Sequence, residues 1–218
     1  MSENIASIFQ NIYEKNSWTN GSGPGSISQL NLELFDFIEN LRKTEDLKSM
    51  VDLGCGDFQL FRKFEFNQNF SYIGYDVVSD LIEKNNKTFS SNFMKFCIMP
   101  SDLADIPETD LVVIKDVLIH LDNATSKKII NRSIEISKFI IFVNNISKGA
   151  TDYNMDIGIG EFRPVDVSLW PFGLNVIERV EYGSEWAYDP KLPLWLAKIF
   201  GKKVWPGAKH IQLVRGGR

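Results

Sequence analysis

The sequence lacks the features that mark membrane proteins, secreted proteins and general nucleic-acid binders. No stretch reaches the roughly 18 apolar residues of a membrane-spanning helix. The N-terminus has no basic segment followed by an apolar core, so no signal peptide is expected. A net charge of −4 does not favour binding to nucleic-acid phosphates. The sequence therefore predicts no membrane span and no nucleic-acid partner, and it leaves the oligomeric state open.

Cysteine is also scarce. Cys55 and Cys97 are the only two cysteines in 218 residues, and their spacing matches no metal-binding motif. Reduced thiols in a cytoplasmic protein are the expected interpretation. Internal repeats and low-complexity linkers are absent as well, and 44% of the residues are hydrophobic. We therefore expect a single domain over residues 1–218 with one large core.

A glycine turn dominates the first half of the chain. The run Met50–Phe58 (MVDLGCGDF) combines a short apolar segment with Asp52 and two glycines, as expected for a buried strand that turns sharply into a helix. Twenty residues after Gly56, a second strand-like run ends at Asp76. A glycine turn followed at this spacing by an acid is typical of sites that bind a ribose through its hydroxyls. The third glycine of a dinucleotide motif is missing, because Gln59 occupies that position.

Strand-like and helical patterns alternate around this turn. We predict strands near 50–53, 72–76, 93–99, 110–115 and 138–143, and helices over 3–15, from Ser28 to about 41, over 58–64, 81–89 and 126–137. The alternation predicts an α/β fold, a Rossmann-like doubly wound sheet that is mostly parallel, with helices on both faces. Residues 175–182 and 209–215 predict an antiparallel hairpin at one edge, with a helix over 192–200 between them.

Residues 49–145 resemble class I S-adenosylmethionine-dependent methyltransferases through the D-x-G-x-G turn. Further motifs resemble a bacterial and viral subgroup associated with sugar O-methylation in glycan biosynthesis. These motifs are DLVVIKDVLIHL (110–121), NMDIGIGEFRP (154–164), LWPF (169–172) and SGPGS (22–26). The resemblance implies S-adenosylmethionine as cofactor and methyl transfer to a hydroxyl of a sugar or nucleotide-sugar. It divides the chain into an N-terminal helical cap and flap (1–48), a cofactor-binding half (49–145) and an acceptor loop with C-terminal strands (146–218).

The expected cofactor residues lie at the carboxyl ends of the strands, where ligands bind in open α/β sheets. Asp76 should bind the ribose, and Asp102 with Leu103 should contact the adenine, although Asp102 could instead cap a turn. The predicted set is Asp52, Gly54, Cys55, Gly56, Asp76, Val77, Asp102, Leu103 and Lys115.

The catalytic prediction centres on His120, one of two histidines in the chain. His120 is the candidate base, with Asp116 orienting it or binding the acceptor hydroxyl and Lys115 beside them. Asp116 and His120 lie four residues apart and would share a face if the turn is helical. Two ligands without a third carboxylate make a weak metal site, so no metal is predicted. His120 could alternatively pack at the start of a helix.

Acceptor contacts are expected from the N-terminal flap and the long loop after residue 145. The glycine-rich segment 16–26 is either a linker with a packed Trp18 or a flap closing over the cofactor. The predicted acceptor-binding residues are Tyr13, Trp18, Asn144, Asp156, Arg163 and Trp170. An ordinary ion pair and a core aromatic are the alternatives for Arg163 and Trp170.

The C-terminal run 191–218 is basic and contains no acid. It is either a solvated face or a docking site for an anionic acceptor carrier.

Other functions remain open at this level. A small-molecule or protein methyltransferase is the alternative enzyme, and a non-catalytic adenosine-ligand binding module is the alternative from another class. An NAD-dependent oxidoreductase is disfavoured by Gln59.

Overall fold

A computed structural model describes residues 3–146, 151–183, 187–188, 203–204 and 208–218. The helices are α1 (Glu3–Glu14), α2 (Leu32–Thr44), α3 (Ser79–Phe89) and α4 (Asn123–Ile136). The main strands are β1 (Ser49–Leu53), β2 (Ser71–Asp76), β3 (Met94–Ile98), β4 (Thr109–Lys115), β5 (Ser137–Asn145), β6 (Val176–Tyr182) and β9 (Lys209–Arg215). Two short strands, β7 (Ala187–Tyr188) and β8 (Lys203–Val204), form a separate antiparallel pair.

The seven main strands form one sheet in the order β3-β2-β1-β4-β5-β9-β6. Strands β1 to β5 are parallel to one another, whereas β9 runs antiparallel to both β5 and β6. This arrangement confirms the predicted Rossmann-like, mostly parallel sheet with an antiparallel C-terminal hairpin at one edge. The carboxyl ends of β1, β4 and β5 therefore lie side by side with the start of β9.

Apolar side chains cover both faces of the central strands. On β4, Leu111 and Val113 belong to one buried cluster with α2, and Val112 and Ile114 belong to another with α4. Alternate residues of a strand point to opposite faces, so an unbroken apolar strand needs a helix layer on each side. Helices on both faces are thus confirmed.

The helix predicted over 58–64 is absent. Only a 3₁₀ turn, Phe61–Lys63, forms there, and Phe58 has a positive φ of 62°. An L-residue in the left-handed region does not continue an α-helix. Phe58, Phe61 and Phe64 are instead buried in an aromatic cluster with Tyr72. The glycine turn consequently has no helix N-terminus above it, so backbone geometry and carboxylates must form the ligand site.

Two helix starts also differ from the sequence predictions. Ser28 does not cap α2; it begins a 3₁₀ turn and its hydroxyl donates to the Leu60 carbonyl at 2.9 Å. Helix α4 begins at Asn123, ahead of the predicted start, because Asp122 accepts a capping hydrogen bond from the Thr125 N–H at 2.6 Å. The helix predicted over 192–200 lies outside the described residues.

The irregular segment 151–174 is held by a buried arginine. Arg163 is 1% exposed, and its guanidinium donates to the carbonyls of Leu118 (3.4 Å) and Met155 (2.8 Å) and to the Ser126 hydroxyl (3.2 Å). The Arg163 N–H also donates to the Ile119 carbonyl at 3.0 Å. This burial corrects the prediction that Arg163 binds an acceptor, because no exposed guanidinium is left to do so.

We expect Arg163→Met to destabilise the protein strongly. Methionine fills a similar volume but leaves several buried carbonyl and hydroxyl groups without a donor, at a cost of about 2–4 kcal/mol. Urea unfolding followed by circular dichroism measures the change. The matched control is Arg62→Met, at an exposed arginine, which should change the free energy of unfolding by less than about 1 kcal/mol. Equal effects in the two variants would contradict the anchoring role of Arg163.

Candidate functional site

A cavity of about 310 Å³ opens at the carboxyl ends of β1, β2 and β4. Helix α1 and residues 16–26, which we call the flap, cover one side of it. The polar residues that line it are Tyr13, Ser22, Ser26, Asp52, Asp76, Lys115, Asp116, His120, Asn145 and Lys209. The cavity lies where open α/β sheets bind their ligands.

The glycine turn forms the floor of the cavity. The N–H groups of Gly54 and Cys55 both donate to the Tyr75 carbonyl, at 2.7 and 3.0 Å. Gly54 and Gly56 have φ angles of 87° and 54°. A Cβ atom on Gly54 would overlap the Val117 side chain, and one on Gly56 would overlap the Ser22 hydroxyl. Both positions therefore require glycine, as the sequence predicted.

Asp76 is a buried carboxylate in the cavity wall. Its Oδ2 accepts from the Gly56 N–H at 2.9 Å, and its Oδ1 accepts from the Val78 N–H at 3.0 Å. Burial raises the pKa of Asp76, while these backbone hydrogen bonds oppose the rise. Each carboxylate oxygen has a second lone pair, so Asp76 keeps acceptor capacity for a ligand hydroxyl.

Asp52 is a second buried carboxylate in the same wall. Its Oδ2 accepts a hydrogen bond from the Tyr72 hydroxyl at 2.9 Å. Burial raises the pKa of Asp52 to about 7; the Tyr72 hydrogen bond opposes the rise, and the Asp76 charge adds to it. Near neutral pH a cationic ligand would draw Asp52 into its ionised form, since an opposite charge favours the charged state.

Lys115, Asp116 and Lys209 form a charged cluster at the end of the cavity next to β4, β5 and β9. The Lys209 Nζ lies 2.7 Å from both Asp116 oxygens, and the Lys115 Nζ also contacts Asp116 Oδ2. Burial opposes ionisation of Asp116, but the two lysine charges hold its pKa well below the ordinary value. Burial lowers the pKa of Lys209 to about 8 against the attraction of Asp116.

Among the described residues, one ring nitrogen of His120 has a hydrogen-bond partner and the other has none. Its Nδ1 lies 2.8 Å from the Glu161 carbonyl, which can only accept, so Nδ1 carries the proton and Nε2 has the lone pair. Trp18 stacks on the imidazole with ring centroids 4.9 Å apart. Burial lowers the pKa of His120 below its ordinary value of 6.5. The Glu161 carbonyl orients the ring, which corrects the prediction that Asp116 would, because Asp116 is bonded to the lysines.

The flap is tied to the cavity at several points. Ser22 Oγ donates to Asp57 Oδ1 at 2.7 Å and lies 2.8 Å from the Tyr13 hydroxyl. The Lys115 Nζ donates to the Gly25 carbonyl at 2.8 Å. Tyr13 and Trp18 both line the cavity. The segment is therefore attached to the cavity wall, and its role as a flap that closes over the cofactor stays a prediction.

Several residues predicted for the site lie elsewhere. Asp102 is exposed and accepts from the Ala104 N–H at 2.9 Å, so it caps a turn, and neither it nor Leu103 lines the cavity. Asn144 is fully buried and its amide has no hydrogen-bond partner among the described residues. Asp156 is exposed and accepts from the Asn123 N–H, and Trp170 is 83% exposed. The structure thus gives no cavity contact for these five, whereas Cys55 and Val77 do line the cavity as predicted.

Lys209 is the main residue that sequence reasoning missed. The sequence places Lys209 in a basic C-terminal run and gives it no further role. In the structure its side chain is 3% exposed and lies within the charged cluster. A lysine at the start of the predicted strand 209–215 is a usable signal, since a charge at the start of a buried strand needs a partner. Asn145 also lines the cavity, and its Oδ1 accepts from the Lys209 Nζ at 2.7 Å.

Two absences hold for the part of the chain that the structure describes. No group of three or more His, Cys, Asp or Glu side chains could hold a metal ion there. Nor is any described helix long and apolar enough to cross a membrane.

Comparisons with known proteins give similarity in structure alone. No protein-family model matches the chain, and no curated protein matches its sequence. Magnesium protoporphyrin IX methyltransferase from Synechocystis PCC 6803, solved with bound S-adenosylmethionine, is similar with a TM-score of 0.57, 13% identity and 99% of each chain covered. The N-methyltransferase NodS from Bradyrhizobium japonicum WM9 has a TM-score of 0.55 at 12% identity, over 87% of this chain and 98% of NodS.

The methyltransferase domain of bacterial CtHen1 has a TM-score of 0.57 at 16% identity, over 85% of this chain and 99% of that domain. Identities this low establish a common fold and nothing finer. The chain therefore has the Rossmann-like fold of class I S-adenosylmethionine-dependent methyltransferases.

Proposed function

We propose that this protein is an S-adenosylmethionine-dependent O-methyltransferase whose acceptor is a hydroxyl of a sugar or nucleotide-sugar. The observation that carries the proposal is that one cavity contains both the glycine turn with Asp76 and the ring of His120. The glycine turn and Asp76 lie at one end, and the free Nε2 of His120 faces the same cavity. A ligand site next to a base is the minimum that methyl transfer to a hydroxyl requires.

The residues at the glycine turn fit the cofactor. Gly54 lines the cavity, whereas Gly56 does not line it but donates its N–H to Asp76, and a side chain at either glycine would collide with Val117 or Ser22. Asp76 offers carboxylate lone pairs for a ribose. Val77 and Met99 give an apolar wall beside Asp76 that suits an adenine ring. The carboxylates of Asp52 and Asp76 favour a positively charged ligand in this end.

When bound, S-adenosylmethionine supplies a methyl group on a positively charged sulfur. The protein's own contribution is to position the acceptor hydroxyl and to remove its proton. His120 Nε2 accepts that proton: the Glu161 carbonyl holds Nδ1–H and so fixes the tautomer, while burial lowers the pKa and keeps the ring neutral beforehand. Trp18, stacked on the ring, fixes the imidazole plane and excludes water from one side.

The choice of a sugar rests on the motif resemblance and on the aromatic and polar lining near His120. Trp18 and Phe162 offer apolar ring surface in the cavity beside polar groups, a combination suited to sugars. A small-molecule or protein acceptor would use the same base and is the alternative. Screening activated sugars and free glycosides with methyl-labelled cofactor tests the acceptor class. Tight cofactor binding with no transfer to any acceptor would favour a non-catalytic module.

We expect Asp76→Asn to weaken S-adenosylmethionine binding by about 10- to 100-fold. The amide loses the charge and one acceptor position at the ribose, and hydrogen bonds to charged groups contribute about 1.5–3 kcal/mol. Isothermal titration calorimetry measures the dissociation constant. Asp102→Asn is the matched control, because Asp102 is exposed outside the cavity and its variant should bind as wild type does. Similar losses in both variants would contradict the ribose assignment.

We expect His120→Ala to reduce methyl transfer by about 10²–10⁴-fold with little change in cofactor affinity, since His120 acts on the acceptor proton. The measurement compares turnover and S-adenosylhomocysteine binding on one sample. Wild-type turnover would exclude His120 as the base. Loss of both properties would show that the Trp18–His120 stack is structural.

The pH dependence of the wild-type rate provides a separate test. Burial lowers the pKa of His120, so the base is neutral and active down to a pH below the ordinary value of 6.5. The rate should therefore rise with pH below that value and stay level above it until other groups titrate. A rise centred above 6.5 would be inconsistent with His120 in this environment.

A further inference from the structure

The cluster of Lys115, Asp116 and Lys209 carries more positive than negative charge in a buried setting. The side chains of the two lysines are 2% and 3% exposed, and that of Asp116 is 18% exposed. Two cations beside one anion give a formal charge of +1 that no described side chain of the cluster neutralises. Buried charges are ordinarily paired, so this excess calls for a partner.

The charged groups around the cluster do not remove the excess. Asp52 accepts from the Tyr72 hydroxyl and also feels the charge of Lys115, but burial raises its pKa to about 7, so near neutral pH it supplies only part of a negative charge. His120 is held neutral by burial, and burial also raises the pKa of the neighbouring Tyr182 hydroxyl. Burial lowers the pKa of Lys209, Asp116 opposes this shift, and the positive charge of Lys115 adds to it.

Donor capacity remains in the cluster. The Lys209 Nζ is shared between Asp116 and the Asn145 Oδ1, which occupies its three N–H groups. The Lys115 Nζ donates to Asp116 and to the Gly25 carbonyl, so among the described residues its third N–H has no acceptor. A lysine ammonium with a spare donor in a cavity wall can bind an incoming oxygen anion.

The position of the cluster indicates which ligand would bring that anion. Asp76, at the end of β2, marks the cofactor end, whereas the cluster lies at the ends of β4 and β5 and the start of β9. His120 follows β4 on the same side. We propose that Lys115, Asp116 and Lys209 form a subsite for an anionic group, a carboxylate or a phosphate, on the methyl acceptor. The acceptor assignment rests on the proposed function and narrows it to acidic, phosphorylated or nucleotide-linked acceptors.

Sulfate is a suitable probe because its charge does not change near neutral pH. Binding is measured by isothermal titration calorimetry without cofactor, at ionic strength held constant with chloride. Lys209→Met should weaken sulfate binding by about tenfold or more, since a charged hydrogen bond is lost. Lys128→Met, at an exposed lysine on α4, is the control for the same change in net charge and should bind as wild type does.

Asp116→Asn should strengthen sulfate binding, whereas Lys209→Met should weaken it. A gain in affinity cannot result from misfolding, so this variant keeps the test decisive. It removes the anion that competes for the lysines, so sulfate should bind about tenfold more tightly. Asn is tolerated at the positive φ of 56° found at this position. If Asp116→Asn and Lys209→Met both abolish binding, or if wild type binds no better than Lys209→Met, the cluster is only a structural ion-pair network.

Competition with the cofactor product shows which ligand brings the anion. Sulfate and S-adenosylhomocysteine should bind together; mutual exclusion would assign the subsite to the cofactor carboxylate and overturn the acceptor assignment.

The pH dependence of sulfate binding tests the role of Lys209. Affinity for sulfate should fall as pH rises above about 8, where Lys209 loses its proton, and an affinity that stays constant up to pH ~9 would contradict a role for Lys209 in binding. Sulfate binding without any cofactor binding would leave the subsite intact and refute the methyltransferase proposal, so the two failures are distinguishable.

Discussion

The carboxylate of Asp116 joins parts of the chain that are far apart in sequence. It follows β4 in a left-handed conformation and binds lysines from β4 and from β9. Through Lys115 it also reaches the Gly25 carbonyl of the flap, and through Lys209 it reaches Asn145 at the end of β5. One ion-pair cluster therefore connects the parallel half of the sheet, its antiparallel edge and the flap around a single cavity. Removing one partner of such a buried cluster leaves the charge of the others uncompensated, which lowers the stability of the folded protein.

The charges that line the cavity differ from one side of the sheet to the other. Asp76 lies at the end of β2, Asp52 lies on the adjacent β1, and the lysines lie at the end of β4 and the start of β9. The charge of Lys115 also acts on Asp52, so the two groups of charges meet between β1 and β4. Within a buried environment these charges act strongly because little water screens them. A cationic ligand is favoured beside Asp76 and an anionic one beside the lysines, and this arrangement requires no helix dipole over the turn.

Local pattern was enough to predict the fold and the glycine turn. Apolar periodicity in the strands defines the parallel sheet, and the positive φ angles of Gly54 and Gly56 are what the spacing of the two glycines indicated. The helix over 58–64 failed because aromatic packing overrode the expected strand–helix connection at Phe58. Similarly, Arg163 and Trp170 were both assigned to the acceptor from residue type, but one is buried and the other is exposed. Residue type indicates which groups a side chain can bind, but its position in the fold decides whether it reaches the cavity.

The pairings that escaped prediction share a physical cause. Lys209 contacts Asp116 across a separation of 93 residues, and His120 contacts the Glu161 carbonyl across 41. Local sequence does not show which partner either side chain finds. The Lys209 pairing depends on which strand the antiparallel edge places beside β5, and the His120 pairing on how Arg163 fixes the long loop. The proposed base and the charged cluster are thus set by tertiary contacts, while the glycine turn is set by its own backbone. A chain could therefore keep the glycine turn through local sequence alone and still change the surroundings of His120 and Lys209, since these depend on long-range packing that a few substitutions in the loop or β9 would alter.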